Sequence, residues 1–215
     1  VLQGGVQLSY AELDADAERW ARCLRAHGVS EGMAVGVYLP RSPSLGVALL
    51  GIWKAGGCAV LLDGQYPQAR LEYVVSDSGM RHVLTQSEMA VGIARGCVRL
   101  CMDGEPDGGE GQVLPQLSGQ AAACLFYTSG STGEPKGVVM RHAGLVNYAL
   151  AMIEELGLCG DERMLQLASV GFDVVLEELL PIWLSGGTVV LDAPAGLVEV
   201  EELHGLLARL RISCF

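Results

Sequence analysis

The sequence predicts an α/β fold in which largely parallel β-sheets carry helices on both faces. Short apolar runs typical of buried strands alternate along the whole chain with longer segments of helical periodicity. Glycine makes up 29 of the 215 residues, about twice its usual share, and it clusters where one such segment ends. Alternation of this kind indicates βα units with parallel pairing between successive strands.

The first half of the chain contains three predicted helices separated by buried strands. Ser9 lies three residues before Glu12, the spacing of a capping box, and an apolar face then continues until Gly28. We expect this helix to be followed by a strand at 34–39, a helix at 42–55, a strand at 58–62, a helix at 67–79 and a short strand at 81–84. The acidic, glycine-rich stretch 103–112 has no periodicity and is predicted to be a surface loop.

The second half repeats the alternation. In order, it contains an apolar strand "AAACLFY" (121–127), a short β-like run "GVVM" (137–140), a helix at 142–156, a strand at 163–168, a helix at 172–185, a strand at 188–191, a helix at 198–210 and a final apolar "RISCF" (211–215).

One segment occurs twice in similar form. "LLGIWKAGGCAVL" (49–61) and "LLPIWLSGGTVVL" (179–191) share Leu-Leu-x-Ile-Trp-x-x-Gly-Gly-x-x-Val-Leu. Any helix that ends at Gly-Gly before a buried strand has some of these features, so chance similarity stays an alternative. A true repeat would imply two related helix–strand units, one in each of two sheets.

Composition excludes several functional classes. The formal charge is -11, and no basic cluster is present, which disfavours a nucleic-acid or anionic-membrane surface. No signal peptide or membrane span is recognisable. The seven cysteines form no C-x-x-C pair and the four histidines are scattered, so we expect reduced thiols, no metal site in this chain and a cytoplasmic location.

The segment "YTSGSTGEPKG" (127–137) predicts a phosphate-binding loop. Thr128, Ser129, Ser131 and Thr132 offer hydroxyl groups, Gly130 and Gly133 let backbone N–H groups turn inward, and Lys136 adds a positive charge. The spacing is neither that of a Walker A loop nor that of a dinucleotide-binding turn. A flexible linker is the alternative, but a linker has no reason to lie between two β-like runs or to contain a Pro-Lys pair.

These segments together resemble the acyl-adenylate-forming superfamily. "LFYTSGSTGEPKGVV" looks like its signature loop. Further matches point to the adenylation domains of non-ribosomal peptide synthetases: "LSYAELDADAERWARCLRAHGV", "WKAGGCAVLLDGQYPQARLEYVVSDSG", "RHAGLVNY" and "FDVVLEELLPIWLSGGTVVL". The similarity covers almost the whole chain and implies part of the large N-terminal subdomain, with two largely parallel sheets and flanking helices.

The resemblance implies an ATP-dependent ligase. Such an enzyme joins an amino-acid carboxylate to the α-phosphate of ATP, releases pyrophosphate, and loads the phosphopantetheine thiol of a peptidyl carrier protein beside adjacent synthetase domains. By this resemblance the β- and γ-phosphates of ATP are held by Thr128, Ser129, Gly130, Ser131, Thr132, Gly133 and Lys136. Fixed donors around the leaving pyrophosphate would stabilise its charge.

Three residues are implied to bind the amino acid. Asp173 matches the family's aspartate that accepts the substrate α-ammonium group, although it also stands where a helix N-cap would be. Val174 and Glu177 match pocket-lining positions, with Glu177 one turn from Asp173. A carboxylate there suggests a basic substrate such as lysine or ornithine. The alternative is that Glu177 and Glu178 belong to a solvated face.

Several family elements have no counterpart in these residues. The resemblance places the adenine contacts, the glutamate that holds Mg²⁺, the hinge and the catalytic lysine of a small C-terminal lid beyond Phe215. We therefore expect an incomplete portion of an adenylation domain that is inactive in isolation. The alternatives are a non-catalytic nucleotide-binding or scaffold module in a synthetase, or an enzyme of the acyl-CoA ligase type.

Overall fold

The computed structural model describes residues 1–89, 92–129, 134–192 and 200–214, with only the backbone for 200–202. Strands and helices alternate along this part of the chain. The strands are β1 (Leu2–Gln3), β2 (Val6–Gln7), β3 (Ala34–Tyr38), β4 (Cys58–Leu61), β5 (His82–Thr85), β6 (Val98–Cys101), β7 (Ala122–Ser129), β8 (Pro135–Arg141), β9 (Arg163–Leu165) and β10 (Thr188–Val190). The helices are α1 (Tyr10–Ala26), α2 (Pro43–Ala55), α3 (Gln68–Asp77), α4 (His142–Leu156), α5 (Val174–Ser185) and α6 (Val200–Leu210).

The chain divides into two compact units. The larger unit comprises Tyr10–Ala143, and the smaller unit comprises Val1–Ser9 together with Gly144–Phe215. Each unit contains one sheet whose strand pairs are parallel except for one antiparallel pair at an edge. The two largely parallel sheets predicted from the sequence are therefore confirmed.

The larger unit is built on a six-stranded sheet in the order β6-β5-β3-β4-β7-β8. β8 is the last strand of this sheet, and it pairs antiparallel with β7. Both Val138 and Val139 of β8 are exposed, by 48% and 58%. Apolar side chains from β3, β4 and β5 fill the core, since these strands are buried on both faces, as parallel strands covered by helices must be.

Helices α1 and α2 pack closely in the larger unit because Gly51 of α2 has no side chain. A Cβ at Gly51 would lie 3.2 Å from both the Ala17 carbonyl oxygen and Trp20 Cβ of α1. Lys54, the one charge in the apolar run of α2, reaches Asp14 of α1 at 2.8 Å. The charge that interrupts the sequence pattern thus lies at the edge of a helix–helix contact, where its stem can cover apolar surface.

The smaller unit contains a four-stranded sheet in the order β2-β1-β10-β9. The β1–β2 hairpin was not predicted, although its signal is present: Gly4 and Gly5 both have positive φ, as a two-residue type I′ connection requires. At the other edge, Cys214 forms a parallel bridge with Met164 of β9, in agreement with a strand in "RISCF". Phe215 itself lies outside the described residues.

The two similar segments adopt the same local structure. α2 ends at Gly56 with φ 91°, and α5 ends at Gly186 with φ 92°, each followed by a buried strand. The next glycine donates a 2.9 Å hydrogen bond in both cases, from Gly57 to Ile52 and from Gly187 to Ile182. One such unit lies in each sheet, as a repeat would imply.

The described helices include none that is both long and apolar enough to cross a bilayer. All seven cysteines are unpaired in the structure.

Candidate nucleotide and amino-acid site

The predicted phosphate loop is the connection of the β7–β8 hairpin. β7 continues to Ser129 and β8 begins at Pro135, so Thr128 lies opposite Lys136 and Ser129 opposite Pro135. The side chains of Thr128, Ser129 and Lys136 are exposed at this end of the sheet. The structure therefore brings these three predicted residues together, whereas Gly130, Ser131, Thr132 and Gly133 lie outside the described residues.

Glycine at position 137 lets the hairpin close tightly below the loop. Gly137 pairs with Tyr127, and a Cβ at this position would lie 3.0 Å from Leu125 Cδ1 and 3.5 Å from the Tyr127 ring. A larger residue would therefore have to displace one of these side chains. Gly137, which stands where a Walker A loop has serine or threonine, thus has a structural reason to be here.

Tyr127, the residue before Thr128, is held through both its side chain and its backbone. Its hydroxyl donates a 2.7 Å hydrogen bond to Asp77 Oδ2, and its carbonyl oxygen accepts a 3.1 Å bond from Arg70 Nη2. Burial, followed by the hydrogen bond to Asp77, raises the pKa of the Tyr127 hydroxyl. The phenol therefore stays protonated and remains a donor. Sequence reasoning did not identify Arg70 or Asp77.

Arg70 is also held by an aromatic ring. Its guanidinium carbon lies 4.2 Å from the centroid of the Tyr66 ring, within the range of a cation–π contact. Tyr73, one turn along α3, meets the Tyr127 ring edge-on with centroids 6.4 Å apart. The side of α3 that carries Arg70, Tyr73 and Asp77 therefore packs against the start of the loop.

The predicted amino-acid residues lie at the start of α5 in the smaller unit. Asp173 takes the N-cap position, but its side chain makes no capping hydrogen bond, so the N-cap role is not seen. Asp173, Val174 and Glu177 are all exposed on this first turn. Burial, together with a hydrogen bond to Glu177, raises the pKa of Tyr148 to about 12. A neutral phenol from α4 thus donates to the Glu177 carboxylate.

Glu178 has a different role from its neighbour Glu177. It is half-buried, and its Oε1 accepts hydrogen bonds from the backbone N–H groups of Leu167 and Ala168 at 3.0 and 2.9 Å. Its Oε2 accepts a 2.6 Å bond from the side-chain amide of fully buried Gln166. Glu178 therefore fixes the segment that leads from β9 towards Asp173. The solvated-face alternative is wrong for Glu178.

No group of three or more histidine, cysteine or acidic side chains arranged to bind a metal occurs in the described ranges. His142 meets Trp53 edge-on with ring centroids 5.8 Å apart, and burial lowers its pKa. That contact gives this histidine a packing role in the larger unit.

Comparison with known proteins identifies the family. The model of the family described as "AMP-binding enzyme" matches residues 1–215. The chain belongs to the AMP-binding enzyme family. Tyrocidine synthase 3 of Brevibacillus parabrevis is 36% identical to this AMP-binding chain over 212 residues, which are 96% of the chain and 3% of that protein. Gramicidin S synthase 2 of Brevibacillus brevis is 36% identical over 212 residues, which are 97% of the chain and 5% of that protein.

Solved structures extend the comparison to the fold. The non-ribosomal peptide synthetase FmoA3 superposes with a TM-score of 0.88 at 28% identity. The match covers 97% of this AMP-binding chain and 22% of FmoA3. A form of FmoA3 with AMPPNP bound gives the same values. A four-domain non-ribosomal peptide synthetase bound to AMP and glycine gives a TM-score of 0.82 at 30% identity, over 95% of this chain and 15% of that protein.

The N-terminal subdomain of Klebsiella oxytoca NpsA, in complex with 3-hydroxybenzoyl-AMSN, gives a TM-score of 0.83 at 25% identity. The match covers 97% of this AMP-binding chain and 53% of the NpsA chain. These similarities confirm the predicted resemblance to synthetase adenylation domains and the predicted fold class. The chain spans about half the length of that subdomain.

Proposed function

We propose that this chain provides the phosphate loop and the amino-acid-binding helix of an adenylation domain in a non-ribosomal peptide synthetase. We further propose that residues 1–215 form part of its large N-terminal subdomain. The observation that carries the proposal is the exposed hairpin end where Thr128 and Lys136 lie opposite each other. A hydroxyl and an ammonium group at one strand end suit an oligophosphate.

The reaction is the joining of an amino-acid carboxylate to the α-phosphate of ATP. A carboxylate oxygen attacks that phosphorus, the bond to the β-phosphate oxygen breaks, and the electron pair leaves with pyrophosphate. Thr128, Ser129 and Lys136 would bind the β- and γ-phosphates and stabilise the charge on this leaving group, together with Gly130, Ser131, Thr132 and Gly133. Mg²⁺, when bound, would neutralise further phosphate charge. The AMPPNP-bound relative supports a nucleotide in this role.

Asp173 is the proposed acceptor for the α-ammonium group of the substrate. Its carboxylate is exposed and makes no capping bond, so it is available for an ammonium donor. Val174 and Glu177 share the same first turn of α5. The relative bound to AMP and glycine supports an amino acid as the second substrate.

We further propose that the substrate has a basic side chain. The Glu177 side chain is exposed, and the Tyr148 phenol is hydrogen-bonded to it. An exposed carboxylate beside the Asp173 turn matches the second positive charge of lysine or ornithine. A leucine or phenylalanine substrate would provide no positive charge to pair with the Glu177 carboxylate.

The remaining steps follow from the synthetase relatives. The aminoacyl group would pass to the phosphopantetheine thiol of a peptidyl carrier protein, as the thiol sulfur attacks the acyl carbon and AMP leaves with the bonding electron pair. Adjacent synthetase domains would supply and use this intermediate in the assembly of a peptide secondary metabolite. A cytoplasmic location is part of the proposal, and seven unpaired cysteines support it.

Amino-acid-dependent exchange of labelled pyrophosphate into ATP tests the function. The full-length protein should catalyse exchange with at least one amino acid, and substrates without an α-ammonium group should fail. The isolated 215 residues should not sustain it, because they span about half of the related subdomain. Full-length protein that binds ATP but exchanges with no amino acid would support the scaffold alternative instead.

A further inference from the structure

One face of α3 lies against the entrance of the phosphate loop. Arg70, Tyr73 and Asp77 follow one another at intervals of three and four residues, which places them on the same side of the helix. Each of them contacts Tyr127 or acts on it: Arg70 through the backbone, Tyr73 through ring packing and Asp77 through the phenol. Leu71 and Val74 of the same helix belong to the core cluster that also contains Tyr127.

The hydrogen bond from Arg70 to Tyr127 lies where β7 extends beyond the end of its neighbour β4. β4 pairs with β7 through Ala59 and Cys124, and β4 ends at Leu61. In a parallel register Leu61 therefore aligns with Phe126, and β7 continues beyond the end of its neighbour. At Tyr127 the strand edge has lost its partner, and the Arg70 guanidinium supplies a donor to the Tyr127 carbonyl oxygen at 3.1 Å.

The residue at the far end of the loop acts electrostatically on this helix face. Burial and then the carboxylates of Asp77 and Glu134 raise the pKa of Tyr73. Glu134 is the residue before Pro135, where β8 begins. α3 therefore contacts the residue that precedes Thr128, and the charge of the residue that precedes the returning strand acts on its Tyr73 phenol.

We propose that Arg70 and Asp77 are positioning residues for the phosphate loop, which fix Tyr127 so that the Thr128 hydroxyl and the Lys136 ammonium are preoriented for pyrophosphate. The inference deepens the proposed function and rests on it. Donors that are already in place bind a developing charge without reorganisation, which is the advantage of a rigid support beneath a loop. Neither residue touches the nucleotide, and both act through Tyr127.

The test uses Y127F, D77A and R70M in the full-length protein, with R70K as the conservative rescue. Each of the first three should raise the KM for ATP, and the Kd for ATP by calorimetry, about threefold to tenfold, which corresponds to the net contribution of one typical hydrogen bond. The KM for the amino acid should stay unchanged, whereas the thermal midpoint should fall slightly, as expected when a hydrogen bond to a buried residue is lost. The Y127F/D77A double variant should match either single variant, because both remove the same hydrogen bond.

E72Q is the matched control. Glu72 is an exposed carboxylate on the same helix, but it accepts a 3.0 Å hydrogen bond from Gln68 and none from Tyr127. It should leave the KM for ATP unchanged, and R70K should lie closer to wild type than R70M.

A lower thermal midpoint with an unchanged KM for ATP in Y127F and D77A would show a purely structural role and overturn the inference. If the wild type binds ATP but shows no exchange, the proposed reaction fails, and the Kd comparison still decides the positioning role. Absence of ATP binding by the wild type would overturn both.

Discussion

Trp53 Nε1 donates a 2.8 Å hydrogen bond to the carbonyl oxygen of Ala123. The bond is buried, and it joins α2 to β7, the strand that leads into the phosphate loop. Trp183 occupies the equivalent position of the repeated segment in α5, but its buried Nε1 has no hydrogen-bond partner among the described residues. The two tryptophans therefore form a natural comparison.

Replacement of Trp53 by phenylalanine should destabilise the fold more than the same change at Trp183. W53F removes the hydrogen bond to the Ala123 carbonyl oxygen, whereas W183F removes an N–H group that has no partner within the described ranges. We expect the free energy of unfolding to fall by about 1 kcal/mol more for W53F, measured by urea denaturation of both variants. Equal losses would show that only the change in side-chain volume matters.

Replacement of Lys136 by alanine should weaken ATP binding. The lysine is exposed beside Thr128, so its removal takes away a charge-assisted phosphate bond with little effect on packing. We expect the Kd for ATP to rise about tenfold or more, measured by calorimetry. K54A is the control because Lys54 pairs with Asp14 on the helices. Similar ATP affinities for both variants would contradict the proposed role of Lys136.

Replacement of Asp173 by asparagine should affect the amino acid and leave ATP unaffected. The change removes the charge that would accept the α-ammonium group, and it breaks no capping bond because none is present. We expect the KM for the amino acid to rise at least about tenfold, with an unchanged KM for ATP and an unchanged thermal midpoint. D161N, which replaces a carboxylate in the turn before β9, serves as the control. A fall in stability without a change in KM would indicate a structural Asp173.

The neighbouring residues Glu177 and Glu178 should respond differently to the same change. E177Q should reduce kcat/KM for lysine and ornithine about tenfold and leave neutral amino acids little affected, because only a cation needs this charge. E178Q should instead lower the thermal midpoint and reduce activity with every substrate, since Glu178 holds the backbone of Leu167 and Ala168. Wild-type exchange with leucine or phenylalanine but not with lysine or ornithine would refute the basic-substrate proposal.

Glu162 should make the turn before β9 sensitive to acid. Its carboxylate accepts hydrogen bonds from the backbone N–H groups of Cys159 and Gly160, both at 2.8 Å, and the bond from Cys159 is the main reason that its pKa falls from 4.5 to about 2. A depressed folded-state pKa means that this contribution to stability is present above pH 4.5 and is lost as the pH falls towards 2.

Thermal midpoints measured between pH 6 and 2 should therefore converge for wild type and E162Q at the acidic end, with wild type more stable at the neutral end. D161N should follow the wild-type curve. A constant difference between wild type and E162Q across this range would show that the Glu162 charge does not contribute.

The sequence predicted the positions of helices and strands better than it predicted which strands pair and in which direction. The strands at 34–39 and 58–62 and the helices at 42–55 and 142–156 were identified because their patterns are long and their ends carry proline or glycine signals. The antiparallel pairing of β8 was not predicted, because strand direction depends on contacts across the sheet. The β1–β2 hairpin was overlooked because its strands contain only two residues each.

The candidate site was predicted in part for similar reasons. Thr128, Ser129 and Lys136 are consecutive or nearly so, and a local motif is enough to identify them. Arg70 and Asp77 lie 50 or more residues from Tyr127 in the sequence, so only the folded chain brings them to it. Glu178 resembled a surface residue because its partners are two backbone N–H groups and the side-chain amide of Gln166, and none of these leaves a trace in the periodicity of the helix.

The outer position of β8 also has a practical consequence for the isolated chain. Val138 and Val139 project from opposite faces of the strand, and both are about half exposed. Between Lys136 and Arg141, the middle of this edge strand has valine on both faces, so it offers unpaired backbone groups to another molecule and has no charge of its own to repel it. In concentrated solution the isolated chain should therefore stack strand against strand, and a lysine at either valine position would make it easier to purify as a monomer.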